Sequence, residues 1–452
     1  MKTKAQTTPL ACIILAAGKG TRMRSALPKV LHKVAHKPML LHVVDTARAV
    51  KAEKIIVVTS PEMDPIRDAL KRHYKDTVAN AIQQEQLGTG DAVKAAKTAL
   101  KDFTGIVLVL YGDAPLIQPA TITAMLEAFN KDPDLSLLVL GMEAPLPNDY
   151  GRLVLNKKGD VERIVEVKEA SAKEKAITLS NSGVMAVRSK LLFPLLAKLS
   201  NKNAKGEYYL TDLVALVNQE GRAGFVTADA QDLHGVNSRG ELAAAEAIMQ
   251  NRMRKQAIEN GVTLLDPATV YFAADTKLGQ DVTIHPNVFF GPGVEVGNNV
   301  EIRSFCHIEG TKILAAATIG PFARLRPGTR VGESAHVGNF VELKQTTLER
   351  GAKVNHLSYI GDAYVGPRAN IGAGTITCNF DGFSKHHTSI GAGAFIGSNT
   401  SLVAPVNIGE GAVTGAGSVI TEDVENDALA IARAPQKQKQ NWAKSFRNKK
   451  HN

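Results

Sequence analysis

The last third of the chain counts in sixes. Ile319, Leu325, Val331, Val337 and Leu343 stand six residues apart; Ile390, Ile396, Leu402, Ile408 and Ile420 keep the same beat, with Thr414 in the one polar slot. Val282, Val288, Val294 and Val300 follow it upstream, and Val365 and Ile371 between. Glycine often comes directly after the aliphatic residue, as in Val331-Gly332, Val337-Gly338, Ile371-Gly372 and Ile396-Gly397. A helix cannot hold one stripe over such a run, and a simple strand alternates in twos. A short strand, a turn and the next strand fit: the aliphatic points inward and glycine or a small polar residue permits the turn. Repeats of fixed period predict a parallel β-helix.

At 452 residues the chain has room for two or three domains with sizeable cores. Aromatics are scarce at 5%, which suits a coil built from small residues. The longest apolar runs, Ile106–Tyr111 and Leu137–Met142, are far too short to span a bilayer. Met1 to Leu10 is polar and has no apolar signal region. Cys12, Cys306 and Cys378 are odd in number and widely spaced, which reads as a reduced, cytoplasmic protein. The net charge of +10 invites nucleic acid, but Lys437, Lys439, Lys444, Arg447, Lys449 and Lys450 crowd a tail that reads as mobile. No zinc pattern or aromatic-studded basic strand accompanies it, so neither nucleic acid nor membrane is an expected partner. Phosphate-bearing small substrates account better for the internal basic residues.

The first half alternates strand-like segments (Ala11–Ala16, Lys54–Thr59, Gly105–Tyr111, Leu135–Leu140) with helix-like ones (Lys37–Val50, Asp64–Tyr74, Gly90–Leu100, Ala120–Phe129). That order predicts an α/β domain, Rossmann-like, with a largely parallel sheet and ligands beyond the strands' carboxyl ends. Ser238-Arg-Gly-Glu241 then offers a capping box opening a long helix that stops near Gly261. About 20 residues at about 1.5 Å each make a spacer of about 30 Å. The expected domains are therefore 1–237, a linker helix 238–262, a β-helix 263–436 and a basic tail 437–452.

Directly after the first strand comes Leu15-Ala-Ala-Gly-Lys-Gly-Thr-Arg-Met23, with Leu27-Pro-Lys-Val30 soon after. Small residues let backbone amides approach an anion, and Lys19, Arg22 and Lys29 add charge. It matches neither the Walker A nor the Gly-x-Gly-x-x-Gly pattern, and taken alone a glycine turn is as often structural. Gln83-Gln-Glu-Gln-Leu-Gly-Thr-Gly90 is a second glycine-rich loop, and Tyr111-Gly-Asp113 sets a carboxylate at a strand end, where a lone Asp is more commonly a helix cap. Together these stretches resemble the sugar-nucleotide pyrophosphorylases, and the resemblance extends over about residues 8–237 through Tyr150-Gly-Arg152, Ile164-Val-Glu166, Asn181-Ser-Gly183, Gly206-Glu-Tyr-Tyr-Leu-Thr-Asp212 and Gly235-Val-Asn237. It implies that Leu15, Ala16, Ala17, Gly18, Gln83, Gly88 and Thr89 hold a nucleotide and that Arg22 and Lys29 face its phosphates. It further implies that Gly151, Glu166 and Asn181 hold a sugar, and that Asp113 and Asn237 bind magnesium. Asp91 stands where relatives often carry His, and no role is assigned to it.

In the repeat region polar clusters break the hexads: Pro321–Gly328, Gly338–Lys344, His356–Tyr359 and Asn370–Gly382, the last suggesting a protruding loop. Read singly, Arg326 and Lys344 are either a phosphate clamp or solvated charges, and His356 either a base or an ordinary packed histidine. His386-His387 is set aside as a metal pair, since adjacent residues rarely chelate one ion. The whole pattern resembles the family of bifunctional bacterial enzymes that make UDP-N-acetylglucosamine, a precursor of cell wall and lipopolysaccharide. That resemblance implies a left-handed β-helix in which His356 is the base for acetyl transfer from acetyl-CoA, with Glu342 assisting or orienting. It gives Arg326, Lys344, Tyr359 and Asn370 to glucosamine 1-phosphate and Ala373, Asn379, Ser398, Ala416 and Arg433 to acetyl-CoA. It also implies a homotrimer with these sites between subunits. Phe380 departs from the family's Asn-Tyr-Asp-Gly, and its side chain is given no role. Two other readings stand beside this one: a nucleotidyltransferase with a structural or regulatory β-helix, and a non-catalytic assembly subunit, which would tend to lose the phosphate loop that Gly18–Arg22 retains.

Overall fold

The computed structural model describes residues 8–203 and 205–450, and the chain divides into two compact units, Met1–Gln250 and Asn251–Asn452. Residues 1–7, the greater part of the polar N-terminal stretch, lie outside the described residues. No described helix is long and apolar enough to cross a membrane.

The apolar runs of the first unit become strands because both their faces are covered. Along Leu10–Leu15, Cys12 and Ile14 enter one hydrophobic cluster while Ala11, Ile13 and Leu15 enter another. Across the sheet the order is Arg222–Thr227, Leu135–Glu143, Leu179–Arg188, Ile106–Tyr111, Leu10–Leu15, Lys54–Thr59 and Ala79–Ile82. All neighbours run parallel except Leu179–Arg188, which is antiparallel to both of its neighbours. Its first half, Leu-Ser-Asn-Ser-Gly, is too polar to have read as a strand. A hairpin, Arg152–Leu155 with Val161–Val165, joins at Ser180. Because Leu10–Leu15 has Lys54–Thr59 on one side and Ile106–Tyr111 on the other, the winding reverses there. A crevice therefore opens at the carboxyl ends of those two strands.

The expected helices stand at Met39–Ala49, Asp64–Tyr74, Thr89–Ala95 and Pro119–Lys131. A longer one, Arg239–Glu259, carries the chain out of the first unit. Its cap is a variant of the expected box. Ser238 Oγ accepts the Glu241 N–H at 3.3 Å, but the Glu241 carboxylate accepts from the backbone N–H of Asn237 at 2.7 Å rather than from that of Ser238.

In the second unit paired strands are mostly seventeen or eighteen residues apart, as in His336–Lys353 and Glu342–Tyr359, and in Lys277–Glu295 and Thr283–Glu301. Each coil thus takes three hexads. All the pairings are parallel, and they form one ten-stranded sheet and one fourteen-stranded sheet. The latter joins two faces of the coil through the long bent strands Glu342–Leu348 and Tyr359–Val365. The repeated aliphatics fill the interior: Val282, Ile319, Leu325, Val331, Val337, Leu343, Ile390, Ile396 and Leu402 are fully buried. Thr414 is buried as well, its hydroxyl accepting the Gly397 N–H at 3.0 Å.

Apart from Gly320 after Ile319, at φ +92°, the glycines after the aliphatics do not serve as turn residues. Gly332, Gly366, Gly372, Gly391 and Gly409 lack positive φ, and a Cβ on any of them would lie 2.5–2.6 Å from backbone of the next coil. They are glycine because stacked coils leave no space for a side chain. The left-handed corners fall to small polar residues, the other option the repeat allows, such as Asp281, Asn287, Asn299, Ser334 and Asn399, and to Phe305, Phe322 and Phe340. These three phenylalanines stack outside the coil with ring centroids 4.8 and 5.1 Å apart.

Between Asn370 and its partner Phe395 the spacing grows to twenty-five residues. The excess is the protruding loop. Asp381 ties its tip by accepting the Phe383 and Ser384 N–H groups, both at 2.7 Å, and its other oxygen meets His386 Nε2. Beyond the coil the tail, expected as a mobile segment, forms an exposed helix, Trp442–Lys450, with Trp442 and Phe446 stacked one turn apart.

Two candidate active sites

In the first unit the loops after Leu10–Leu15 and Ile106–Tyr111 enclose a cleft of about 470 Å³. Leu15, Ala16, Ala17, Gly18, Lys29, Gln83, Gly88, Thr89 and Asp113 line it, together with Lys19, Gln86, Tyr111 and Glu207. Gly18 has nothing within 4 Å of its missing Cβ, so its backbone faces open space. Gly20 has φ +62°, and a Cβ there would strike the Lys29 stem at 2.5 Å, so the loop and Lys29 fit only with glycine. Gly88, at φ +107°, presses against Tyr208, whose N–H donates to the Leu87 carbonyl at 2.7 Å. The Gly-Thr-Gly loop is thereby fastened to the Gly-Glu-Tyr-Tyr segment.

Lys29 does not point freely toward a phosphate. Its ammonium pairs with the Asp113 carboxylate and donates to Asn237 Oδ1 at 3.0 Å, with 12% of the side chain exposed. A carboxylate and an amide oxygen converge on one cation, a hard oxygen pair of the kind magnesium takes, with the ammonium as stand-in. The residues therefore fit the ion. Asn237 is held in place by Glu241 of the helix cap, and Arg239 reaches the Met23 carbonyl at 3.2 Å.

Gln83 is buried, and its carboxamide donates to Asp91 Oδ2 at 2.9 Å and to the Gly88 carbonyl at 3.1 Å. Asp91, left without a role by the sequence, thus orients Gln83. Arg22 is exposed and lies outside the cleft lining. Gly151, Glu166 and Asn181 sit together: the Asn181 N–H donates to the Gly151 carbonyl at 2.8 Å, and a Cβ on Gly151 would lie 3.6 Å from Glu166 Oε1. Burial raises the Glu166 carboxyl above its usual 4.5, with the Thr211 hydroxyl 3.4 Å away. Tyr111 lies within the electrostatic reach of both Asp113 and Glu166, and its own hydroxyl is held well above the usual range by burial. The sequence missed Tyr111, Gln86 and Glu207. All three stand in stretches the sequence singled out, Tyr111 before Gly112-Asp113, Gln86 in the second glycine-rich loop and Glu207 after Gly206, but none was given a role there.

In the second unit the candidate residues divide between two faces. His356 and Asn370 lie on strands of the ten-stranded sheet; Lys344 and Tyr359 lie on the fourteen-stranded one, and Arg326 directly follows its strand Arg324–Leu325. His356 is exposed, with Nδ1 2.7 Å from Asn339 Oδ1. The strand register repeats from coil to coil, so Asn339, His356, Ala373, Ser398 and Ala416 occupy equivalent places in successive coils. They form one column with the histidine near its foot and small residues above. Arg433 folds back to donate to the Ala416 carbonyl at 2.6 Å.

Arg326 pairs with Glu342 at 2.9 Å, and Lys344 with Asp362 at 3.7 Å. Asn379, buried, donates to the same Asp362, and Tyr359 Oη stands 3.5 Å from the Asn379 amide nitrogen. Asp362 carried no signal in the sequence. Phe380 is half exposed under the Lys385 ammonium, 4.3 Å from the ring centroid. Among the described residues no group of three or more His, Cys, Asp or Glu side chains is placed to hold a metal, and His386 is engaged by Asp381.

Residues 12–207 match the model of the MobA-like NTP transferase domain, and residues 275–310 and 387–422 match that of bacterial transferase hexapeptide repeats. Among curated proteins the chain is 57% identical to the bifunctional protein GlmU of Rhodospirillum rubrum, covering 97% of this chain and 98% of that one. It is 53% identical to that of Paramagnetospirillum magneticum over 98% and 97%, and 51% identical to that of Zymomonas mobilis over 98% of each.

Proposed function

The chain belongs to the family of bifunctional GlmU proteins, and on that premise we propose how its two sites divide the work of making UDP-N-acetylglucosamine. It is a nucleotidyltransferase and an acyltransferase in one polypeptide. What carries this reading is the match, in order, over nearly the whole chain, with the phosphate loop and His356 both present. The reading with a merely structural β-helix has no such support.

The β-helix, residues 263–436, acetylates glucosamine 1-phosphate. The Asn339 amide oxygen fixes Nδ1–H of His356 as the donor, leaving Nε2 with a lone pair. Nε2 takes a proton from the substrate amine as nitrogen attacks the thioester carbonyl; the C–S bond breaks and coenzyme A leaves with a proton. Arg326, Lys344, Tyr359 and Asn370 bind the sugar phosphate, while the column Ala373–Ser398–Ala416, with Asn379 and Arg433, lines the acetyl-CoA groove. The family resemblance implies a homotrimer, and the division of these residues between two faces of one coil accords with neighbouring coils completing each site.

Residues 1–237 then join N-acetylglucosamine 1-phosphate to UTP. The sugar phosphate is already an anionic nucleophile; its oxygen attacks the α-phosphorus and pyrophosphate departs, so no general base is needed. Backbone of the Ala16–Thr21 loop, with Gln83, Gly88 and Thr89, holds the nucleotide, and Gly151, Glu166 and Asn181 hold the sugar. Asp113 and Asn237 would hold magnesium, which would supply neutralisation of the phosphate charge. A cytoplasmic location accords with the nucleotide and acetyl-CoA substrates. Two variants test the division: His356→Ala should abolish acetyl transfer and spare uridylyl transfer, and Asp113→Asn should do the reverse. Loss of both activities in either variant would contradict independent sites.

A further inference from the structure

Where Glu342–Leu348 and Tyr359–Val365 bend around a corner of the coil, Gln345 and Asp362 occupy equivalent left-handed positions, φ +48° and +50°. A non-glycine residue held there needs a compensating contact. Asp362 has two. From the strand below, the Lys344 ammonium stands 3.7 Å from its Oδ2; from the coil above, the Asn379 amide donates to the same oxygen. Asn379 in turn faces Tyr359 Oη. The preceding residue is Gly361, where a Cβ would collide with both Tyr359 Oη and Asn379 Nδ2, 2.5 and 2.7 Å away. The absent side chain leaves room for the phenol and the amide to meet beside Asp362. One acidic group therefore engages Lys344 and Asn379 directly and Tyr359 through Asn379, three residues to which the proposed acetyl transfer gives substrate contacts.

We propose that Asp362 is a positioning residue for acetyl transfer: it holds Lys344 extended and Asn379 oriented before glucosamine 1-phosphate arrives. This rests on the reading of the β-helix as the acetyltransferase. The reason is entropic. A lysine side chain has many rotamers and loses them when it grips a phosphate, so a partner that confines it beforehand strengthens binding. The carboxylate is four-fifths covered, so its pull on the ammonium is less screened than that of a surface pair. Asp362 touches no reacting atom and acts through its neighbours.

Asp362→Asn keeps the shape, and its amide oxygen can still accept from Asn379, but it releases Lys344. The experiment is steady-state acetyl transfer by the full chain, varying glucosamine 1-phosphate, in four proteins: the parent, Asp362→Asn, Lys344→Met and the double variant. Uridylyl transfer and the melting profile are recorded alongside. The KM for glucosamine 1-phosphate should rise about tenfold in Asp362→Asn with kcat within about threefold, and uridylyl transfer should not change. In the Lys344→Met background the same replacement should add less than twofold, because its effect passes through Lys344. An unchanged KM, a fully additive effect, or a fall in kcat with a lowered melting temperature would overturn the proposal. Absence of acetyl transfer from the parent protein would be a different failure, that of the acetyltransferase reading itself.

Discussion

Gly372→Ala is the sharpest test of why the hexads carry glycine. A methyl group there would lie 2.5 Å from the Ile396 carbonyl oxygen, 2.6 Å from the Ser398 nitrogen and 2.7 Å from the Gly397 carbonyl carbon. All three are backbone atoms of the next coil, so no side chain can swing aside. Restoring ordinary contact requires the coils to part by about 0.8 Å. That would stretch the bond from Gly372 N–H to the Ile396 carbonyl, now 2.8 Å, beyond useful length. Loss of that bond, about 1 kcal/mol, adds to an overpacking cost of about 2 kcal/mol. At about 2–4 °C per kcal/mol for a unit of this size, the melting temperature should fall by about 6–12 °C. Gly393→Ala is the control, since it adds a methyl in open space at φ +66° and carries only the left-handed strain, about 1 kcal/mol. The assay is calorimetry of the full chain, following the transition that acetyl-CoA raises. If Gly372→Ala melts no lower than Gly393→Ala, the close-approach argument is wrong.

Other predictions follow from the sites. Glu166 has its carboxyl raised by burial, so its ionised form weakens the native state. Native stability should therefore be highest with Glu166 protonated and fall as pH climbs from the usual 4.5 through the raised value. Glu166→Gln should raise the melting temperature of the first unit at pH 7 and do so less at pH 4; an equal effect at both would remove the titration argument. Asp91→Ala frees the Gln83 carboxamide and should raise the KM for UTP several-fold with little change in acetyl transfer; steady-state kinetics of both reactions checks it. Sedimentation of the intact protein should give a mass near three times the 48.3 kDa chain, and a monomer retaining full acetyl transfer would contradict sites shared between subunits.

The coil was legible because each hexad puts one aliphatic inside, and a period of six suits neither a lone helix nor a flat strand. Four parallel strands were legible because burial on both faces makes them continuous apolar runs, as in Lys54–Thr59, whereas the exposed edge strand Ala79–Ile82 and the partly buried Arg222–Thr227 carried no such run. Leu179–Arg188 was not, since its polar half faces the hairpin and the Gly151 side. The glycines were visible but their cause was not: a turn and a close approach write the same letter. The loops around the cleft could be placed from sequence because they follow strand ends directly. Asp362, Tyr111 and Asp91 could not be assigned, because what each touches lies on another strand, loop or coil. Nor could sequence reveal that Lys29 rests between Asp113 and Asn237, positions 84 and 208 residues away.

The central claim is that one chain performs two transfers in series. The most direct test supplies the purified protein with glucosamine 1-phosphate, acetyl-CoA, UTP and magnesium, and follows free thiol and pyrophosphate together. Thiol release followed by pyrophosphate is the predicted result. Pyrophosphate formed only when N-acetylglucosamine 1-phosphate is added, with no thiol, would contradict it and leave the β-helix as scaffold.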